Sequence, residues 1–219
     1  MKNTTSQLFE IGQSVWYDNI QRSLLQNGEL AGMVERGEIY GVTSNPSIFM
    51  KAITKSDEYD ESLRLLMKSD LSPEEIFFRL AIEDIQSATD LFSSLYQETD
   101  GGDGYVSLEV SPYLADDTQQ TLTQVNEIWE DVNRPNLMIK IPATKAGLPA
   151  IEEAIFSGFN INVTLIFSLN RYEEVMEAFI RGLERRVEAG LPIDSIASVA
   201  SFFVSRVDTN VDNRLQNII

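Results

Sequence analysis

Residues Leu137-Met138-Ile139-Lys140-Ile141-Pro142 form an apolar run with one lysine set in its middle. Leu137, Ile139 and Ile141 share one parity and Met138, Lys140 and Pro142 the other, which is the alternation of a strand. The run reads as a buried strand, and Lys140 is its anomaly. An ammonium moved into low dielectric loses hydration, which lowers its pKa toward neutrality and leaves a fraction of free amine able to attack a carbonyl. That is Schiff-base chemistry. Taken alone, the segment equally suits a lysine that snorkels out from a strand end.

The flanking strands repeat the anomaly. Tyr105 to Val110 carries Val106, Leu108 and Val110 on one parity and Ser107 and Glu109 on the other, while Asn160 to Phe167 places Asn162 and Thr164 among Ile, Val and Leu. Strands of a parallel sheet covered on both faces should be nearly continuous apolar runs. Three neighbours that break the rule together point to a polar site, with a carboxylate to move protons and an amine to condense with a carbonyl. Asp18, at the end of a first strand within Ser14 to Ile20, falls where β/α barrels place their chemistry, although an aspartate there also suits a loop cap.

Helical periods fill the intervals between strands. The expected helices are Arg22 to Arg36 (stopped by Gly37), one beginning at Ile48, Asp57 to Leu66, Glu74 to Gln97, Asp116 to Val132, Gly147 to Phe156, a helix capped by Asn170 that runs to Ala189, and Asn210 to Ile219. Ser72, Pro73 and Glu75 spell a capping-box start. The second strand is Ile39 to Ser44, closed by Asn45-Pro46-Ser47, and the sixth is Ile196 to Arg206. Alternation of this kind demands a parallel sheet, either a β/α barrel or an open doubly wound sheet. No Gly-rich phosphate fingerprint follows the first strand, which counts against a dinucleotide-binding sheet. One domain over residues 1–219 is expected.

Composition narrows the chemistry. Acidic residues number 34 against 17 basic ones, a formal charge of −17 that argues against nucleic acid or an anionic membrane as partner. Cysteine and histidine are both absent, so thiol nucleophiles and imidazole or thiolate metal ligands are excluded, and acid–base work falls to carboxylates, lysine, tyrosine or water. The N-terminal segment Met1 to Glu10 lacks the apolar core of a signal peptide and no run reaches membrane-spanning length, so a cytoplasmic protein is expected.

Five segments resemble the transaldolase family, in its longer bacterial branch. They are Val42-Thr-Ser-Asn-Pro-Ser47, Val106-Ser-Leu-Glu-Val110, Leu137 to Thr144, Asn160 to Ser168 and Ala200-Ser-Phe-Phe-Val-Ser-Arg-Val-Asp208, in family order across nearly the whole chain. The resemblance implies a TIM-type (β/α) barrel and a class I mechanism without metal or cofactor. In that mechanism a dihydroxyacetone unit moves between sedoheptulose 7-phosphate or fructose 6-phosphate and aldose phosphates of the pentose phosphate pathway. It implies Lys140 as the Schiff-base lysine, Glu109 acting through water, Thr164 holding that water, and Asp18 taking a proton from the C4 hydroxyl. Asn45 and Asn162 would bind hydroxyls of the transferred unit, and Ser201 and Arg206 would position substrate and phosphate. The family barrel has eight strands, whereas this chain accommodates six, so three alternatives stand: a fragment, a barrel completed by self-association or a complementing chain, or an end that is rebuilt. A non-catalytic phosphosugar-binding fragment and another lysine-dependent aldolase are the alternative readings.

Overall fold

A computed structural model describes residues 4–218; Met1–Asn3 of the N-terminal segment, and Ile219 at the end of the expected last helix, lie outside the described residues. In chain order the elements are α1 (Thr4–Glu10), β1 (Trp16–Tyr17), α2 (Arg22–Gln26), α3 (Glu29–Glu35), β2 (Gly41–Val42), α4 (Pro46–Lys55), α5 (Asp60–Leu66) and α6 (Pro73–Glu98). There follow β3 (Val106–Glu109), a 3₁₀ turn (Pro112–Leu114), α7 (Thr118–Val132), β4 (Leu137–Pro142), α8 (Gly147–Ser157), β5 (Ile161–Ile166), α9 (Leu169–Glu188), β6 (Ser198–Phe202) and α10 (Val204–Gln216). The sheet order is β1-β2-β3-β4-β5-β6, each strand beside the next one in sequence. A doubly wound sheet would reverse its order at a switch point, so this sequential order of parallel strands is that of a partial (β/α) barrel. None of the described helices is long and apolar enough to cross a membrane.

The chain packs as two compact units. One comprises the chain up to Glu109 with Asn126–Ile139, and the other Val110–Val125 with the chain from Lys140 onward. In the first unit α6 is the organising helix. The Ser72 hydroxyl accepts from the Glu75 N–H, and the Glu75 carboxylate accepts from the Ser72 N–H, so the expected capping box forms. Leu80, Ile85, Ala88 and Phe92 are buried along its inner face. Each large side chain so enclosed contributes about 1.5–3 kcal/mol from loss of apolar surface to water. A buried ion pair ties α2 to α6: Arg22 Nε donates to Asp84 Oδ1 at 2.8 Å, and the Tyr59 hydroxyl donates to Asp84 Oδ2 at 2.6 Å. Burial and the Asp84 carboxylate push the Tyr59 phenol well above its ordinary pKa, so it remains a donor.

The structure corrects several expected boundaries. The single helix expected over Arg22 to Arg36 is two, because Gly28 adopts φ +79°, a left-handed conformation open to glycine that separates α2 from α3. Helix α1 was not foreseen in so polar a segment. It is held by tertiary contacts: Phe9 stacks on Tyr40 at 3.9 Å, and the Thr5 and Ser6 hydroxyls donate to the Gly37 carbonyl. Helix α4 begins at Pro46 rather than Ile48, since proline needs no N–H at the first helical position. Ser168, not Asn170, caps α9, accepting from the Arg171 N–H at 3.2 Å.

In the second unit α8 and α9 pack closely. A Cβ built on Gly182 would lie 2.7 Å from Ile155 Cβ and 2.8 Å from the Glu152 carbonyl oxygen, distances that real side chains do not tolerate. Gly182→Ala is therefore expected to cost about 1–3 kcal/mol despite the better helix propensity of alanine, read as a lower urea midpoint. An unchanged midpoint would show that the two helices can separate without loss. The nearly buried Arg186 donates to the Phe156 and Pro192 carbonyls, each at 2.8 Å, and so fastens the segment after α9 to the end of α8.

Candidate active site

Every residue of β4 is buried, Lys140 included at 5% exposure. The lysine therefore does not snorkel into bulk water. Main-chain ladders hold it from both sides, the Val110 N–H donating to the Lys140 carbonyl at 3.1 Å and the Ala143 N–H to the Thr164 carbonyl at 2.8 Å. On β5, Asn162 and Thr164 are buried at 1% and 0% exposure. Asn162 Oδ1 accepts from the Ser201 hydroxyl at 2.9 Å, which leaves the amide NH₂ as the donating end of that side chain. The second unit thus brings Asn162 and Ser201 into direct contact, Asn162 on β5, which adjoins the strand that carries Lys140, and Ser201 on β6, one strand further on.

Thr164 differs from its neighbours. Its hydroxyl is buried and has no hydrogen-bond partner among the described residues. Such a group forfeits about 1–3 kcal/mol of hydration without return, a cost it shares among the described residues with the Thr43 hydroxyl. Thr164→Val keeps the shape and removes the hydroxyl. We expect it to leave stability unchanged or to raise it by about 1 kcal/mol in urea denaturation; a clear loss would mean that the hydroxyl is satisfied in solution.

Immediately after Thr164 the strand is irregular. The β5–β6 register runs Asn162↔Val199 and Val163↔Ala200, then resumes at Ile166↔Phe202, one extra residue having been inserted on β5. Leu165 lies at the insertion with φ +61°, a left-handed conformation costly for a residue with a Cβ. Bulges of this kind re-aim the side chains on either side of them, here Thr164 and Ile166.

Arg206 departs from expectation. The sixth strand, expected to reach Arg206, ends at Phe202, and Arg206 lies in the first turn of α10. Its guanidinium sits 4.2 Å above the Phe203 ring, which stacks in turn on Phe167 at 5.5 Å. The cation is held by aromatic faces at a helix N-terminus, where backbone N–H groups also favour anions. Ser205, Arg206, Thr209, Asn210 and Asn213 line a polar concavity of about 360 Å³ beside it. Sequence reasoning missed the Phe167–Phe203 platform because paired phenylalanines at strand ends read as core.

The first unit holds the other expected residues. Asp18 is exposed directly after β1, and Glu109 is half-buried as the last residue of β3. Asn45 is half-buried and caps α4, its Oδ1 accepting from the Ile48 N–H at 3.1 Å. Its carbonyl oxygen is thereby committed to the fold, and the NH₂ is the end suited to a ligand hydroxyl. Among the described residues no group of three or more carboxylates is placed to hold a metal ion.

The family model for transaldolase/fructose-6-phosphate aldolase matches residues 15–218. A transaldolase of Thermobifida fusca (strain YX) is 50% identical over 218 residues, covering 100% of this chain and 59% of that protein. A transaldolase of Frankia alni is 47% identical over the same shares. Transaldolase 2 of a Nostoc species is 45% identical over 213 residues, 97% of this chain and 56% of its own length. The chain therefore spans a little under three fifths of the length of these relatives.

Proposed function

Because the chain belongs to the transaldolase/fructose-6-phosphate aldolase family, we propose that its chemistry is class I transfer of a dihydroxyacetone unit from fructose 6-phosphate or sedoheptulose 7-phosphate to an aldose phosphate. The observation that carries this reading is the burial of Lys140 within β4, beside a strand whose inward positions are Asn162 and an unpartnered Thr164 hydroxyl. A buried amine in polar company suits condensation with a ketone far better than it suits packing.

In this mechanism the Lys140 amine adds to the C2 ketone, and loss of water gives an iminium. Glu109, working through a water that the Thr164 hydroxyl helps to hold, shuttles the protons of that step. Asp18 takes the proton of the C4 hydroxyl as the C3–C4 bond breaks, and the bonding pair passes into the iminium to give an enamine. The aldose phosphate departs, an acceptor aldose adds to the enamine carbon, and hydrolysis frees Lys140. Asn45 and Asn162 donate to hydroxyls of the retained three-carbon unit, Ser201 orients Asn162, and Arg206 draws the substrate phosphate. The excess of negative charge suits a metabolic enzyme of the cytoplasm with no nucleic-acid partner, in the pentose phosphate pathway.

A coupled assay tests the reading. With fructose 6-phosphate as donor and erythrose 4-phosphate as acceptor, sedoheptulose 7-phosphate should form, and glyceraldehyde 3-phosphate should appear in equal amount. Release of free dihydroxyacetone without transfer would assign a simple aldolase instead.

A further inference from the structure

Within the first unit a second concavity, of about 350 Å³, is lined by Gln21 and Ser23 at the start of α2 and by Lys51, Ala52, Lys55 and Ser56 of α4 and its C-terminus. Its chemistry runs against the rest of the molecule. Each arginine of this unit, Arg22, Arg36, Arg64, Arg79 and Arg134, is paired with a carboxylate. Lys51 and Lys55 form no ion pair among the described residues, although acidic residues outnumber basic ones two to one in the chain. They stand one helical turn apart, an arrangement in which two like charges repel. An anion between them would turn that repulsion into attraction.

The wall behind the lysines is fixed. Ala52 is buried in a cluster with Tyr59 and Leu80. The Tyr59 hydroxyl accepts from the Arg22 N–H at 3.1 Å, which locks the start of α2 against the same cluster. The Ser56 hydroxyl donates to the Ala52 carbonyl at 2.9 Å, so its oxygen keeps acceptor capacity only. Ser23 and Gln21 add a hydroxyl and an amide as neutral donors to the lining, one amide hydrogen of Gln21 being directed to Asn19 Oδ1 at 3.4 Å. Two point charges and two neutral donors on a fixed wall suit a tetrahedral dianion, and the volume leaves room for a small group attached to it.

We propose that this concavity is a second ligand site, separate from the Lys140 chemistry, for the phosphate group of a small phosphorylated molecule. The proposal does not depend on the function assigned to Lys140. It is tested on the full chain by ¹⁵N–¹H NMR, titrating inorganic phosphate against chloride at equal ionic strength. Saturable shifts are expected at the amides of Gln21, Ser23, Lys51, Lys55 and Ser56, with a millimolar Kd. The Lys51→Gln/Lys55→Gln double variant changes two exposed helical positions to a residue of similar helix propensity, so it should fold normally. It should weaken binding by about tenfold or more, whereas Lys140→Arg should leave these shifts unchanged. The proposal is overturned if these amides show no saturable response, or if the double variant titrates like the parent, which would assign the response to diffuse charge.

Discussion

Asp84→Ala will lower the unfolding free energy by about 3–5 kcal/mol, the largest single-site loss outside the apolar core. Arg22 is 8% exposed and Asp84 2%, so neither charge is hydrated, and each relies on the other. Besides the Asp84 contact, the guanidinium donates to Ser62 Oγ at 2.9 Å and to Glu83 Oε2 at 2.7 Å, and it lies 4.4 Å over the Tyr59 ring. Truncating Asp84 removes the one fully buried counter-charge and also leaves the Tyr59 O–H without its acceptor, although the phenol oxygen still accepts from the Arg22 N–H. Glu83 is 48% exposed as a side chain and cannot replace it. Glu83→Ala should accordingly cost under about 1 kcal/mol, as surface ion pairs do. Replacing Arg22 and Asp84 together with Met and Leu should cost much less than Asp84→Ala alone, because no uncompensated charge remains. Urea denaturation of the variants reads all of these. Equal losses for Glu83→Ala and Asp84→Ala would show that the network does not have the burial described.

Under the proposed function, Lys140→Arg is expected to abolish transfer of the dihydroxyacetone unit, by on the order of 10⁴-fold or more, while leaving the fold intact. Arginine retains the positive charge and nearly the length of lysine, but its guanidinium stays protonated and offers no lone pair to a ketone. A role confined to electrostatic attraction of phosphate would survive the exchange; formation of an iminium would not. Circular dichroism and the urea midpoint separate loss of chemistry from loss of structure. Activity retained within about tenfold in a folded Lys140→Arg protein would move the nucleophile to another residue.

The sequence carried the β/α alternation plainly, because period-two strands and period-3.6 helices differ even by eye and the Ser72 capping box marks a helix start. Lys140, Asn162 and Thr164 also stood out, since polar residues in otherwise aliphatic strands conflict with burial on both faces. Their burial agrees with that reading; the chemical role given to each is a proposal. What was hidden depends on contacts distant in sequence. Phe202-Phe203-Val204 has the composition of a strand, yet the helix begins inside it, with Phe203 turned to serve Arg206. The left-handed Leu165 could not be foreseen, because nothing in its own residue type favours that conformation and only the β5–β6 register requires it. The resemblance implies Asn45 as a ligand for hydroxyls, and its place as the cap of α4 depends on the backbone around Ile48.

The proposed mechanism requires the Lys140 amine to condense with a ketose. Incubating the chain with fructose 6-phosphate, reducing with borohydride and mapping the peptides by mass tests it most directly. A covalent adduct confined to the peptide bearing Lys140 is the predicted result. A chain that remains unmodified, or that is modified at Lys145 or another lysine instead, would contradict it.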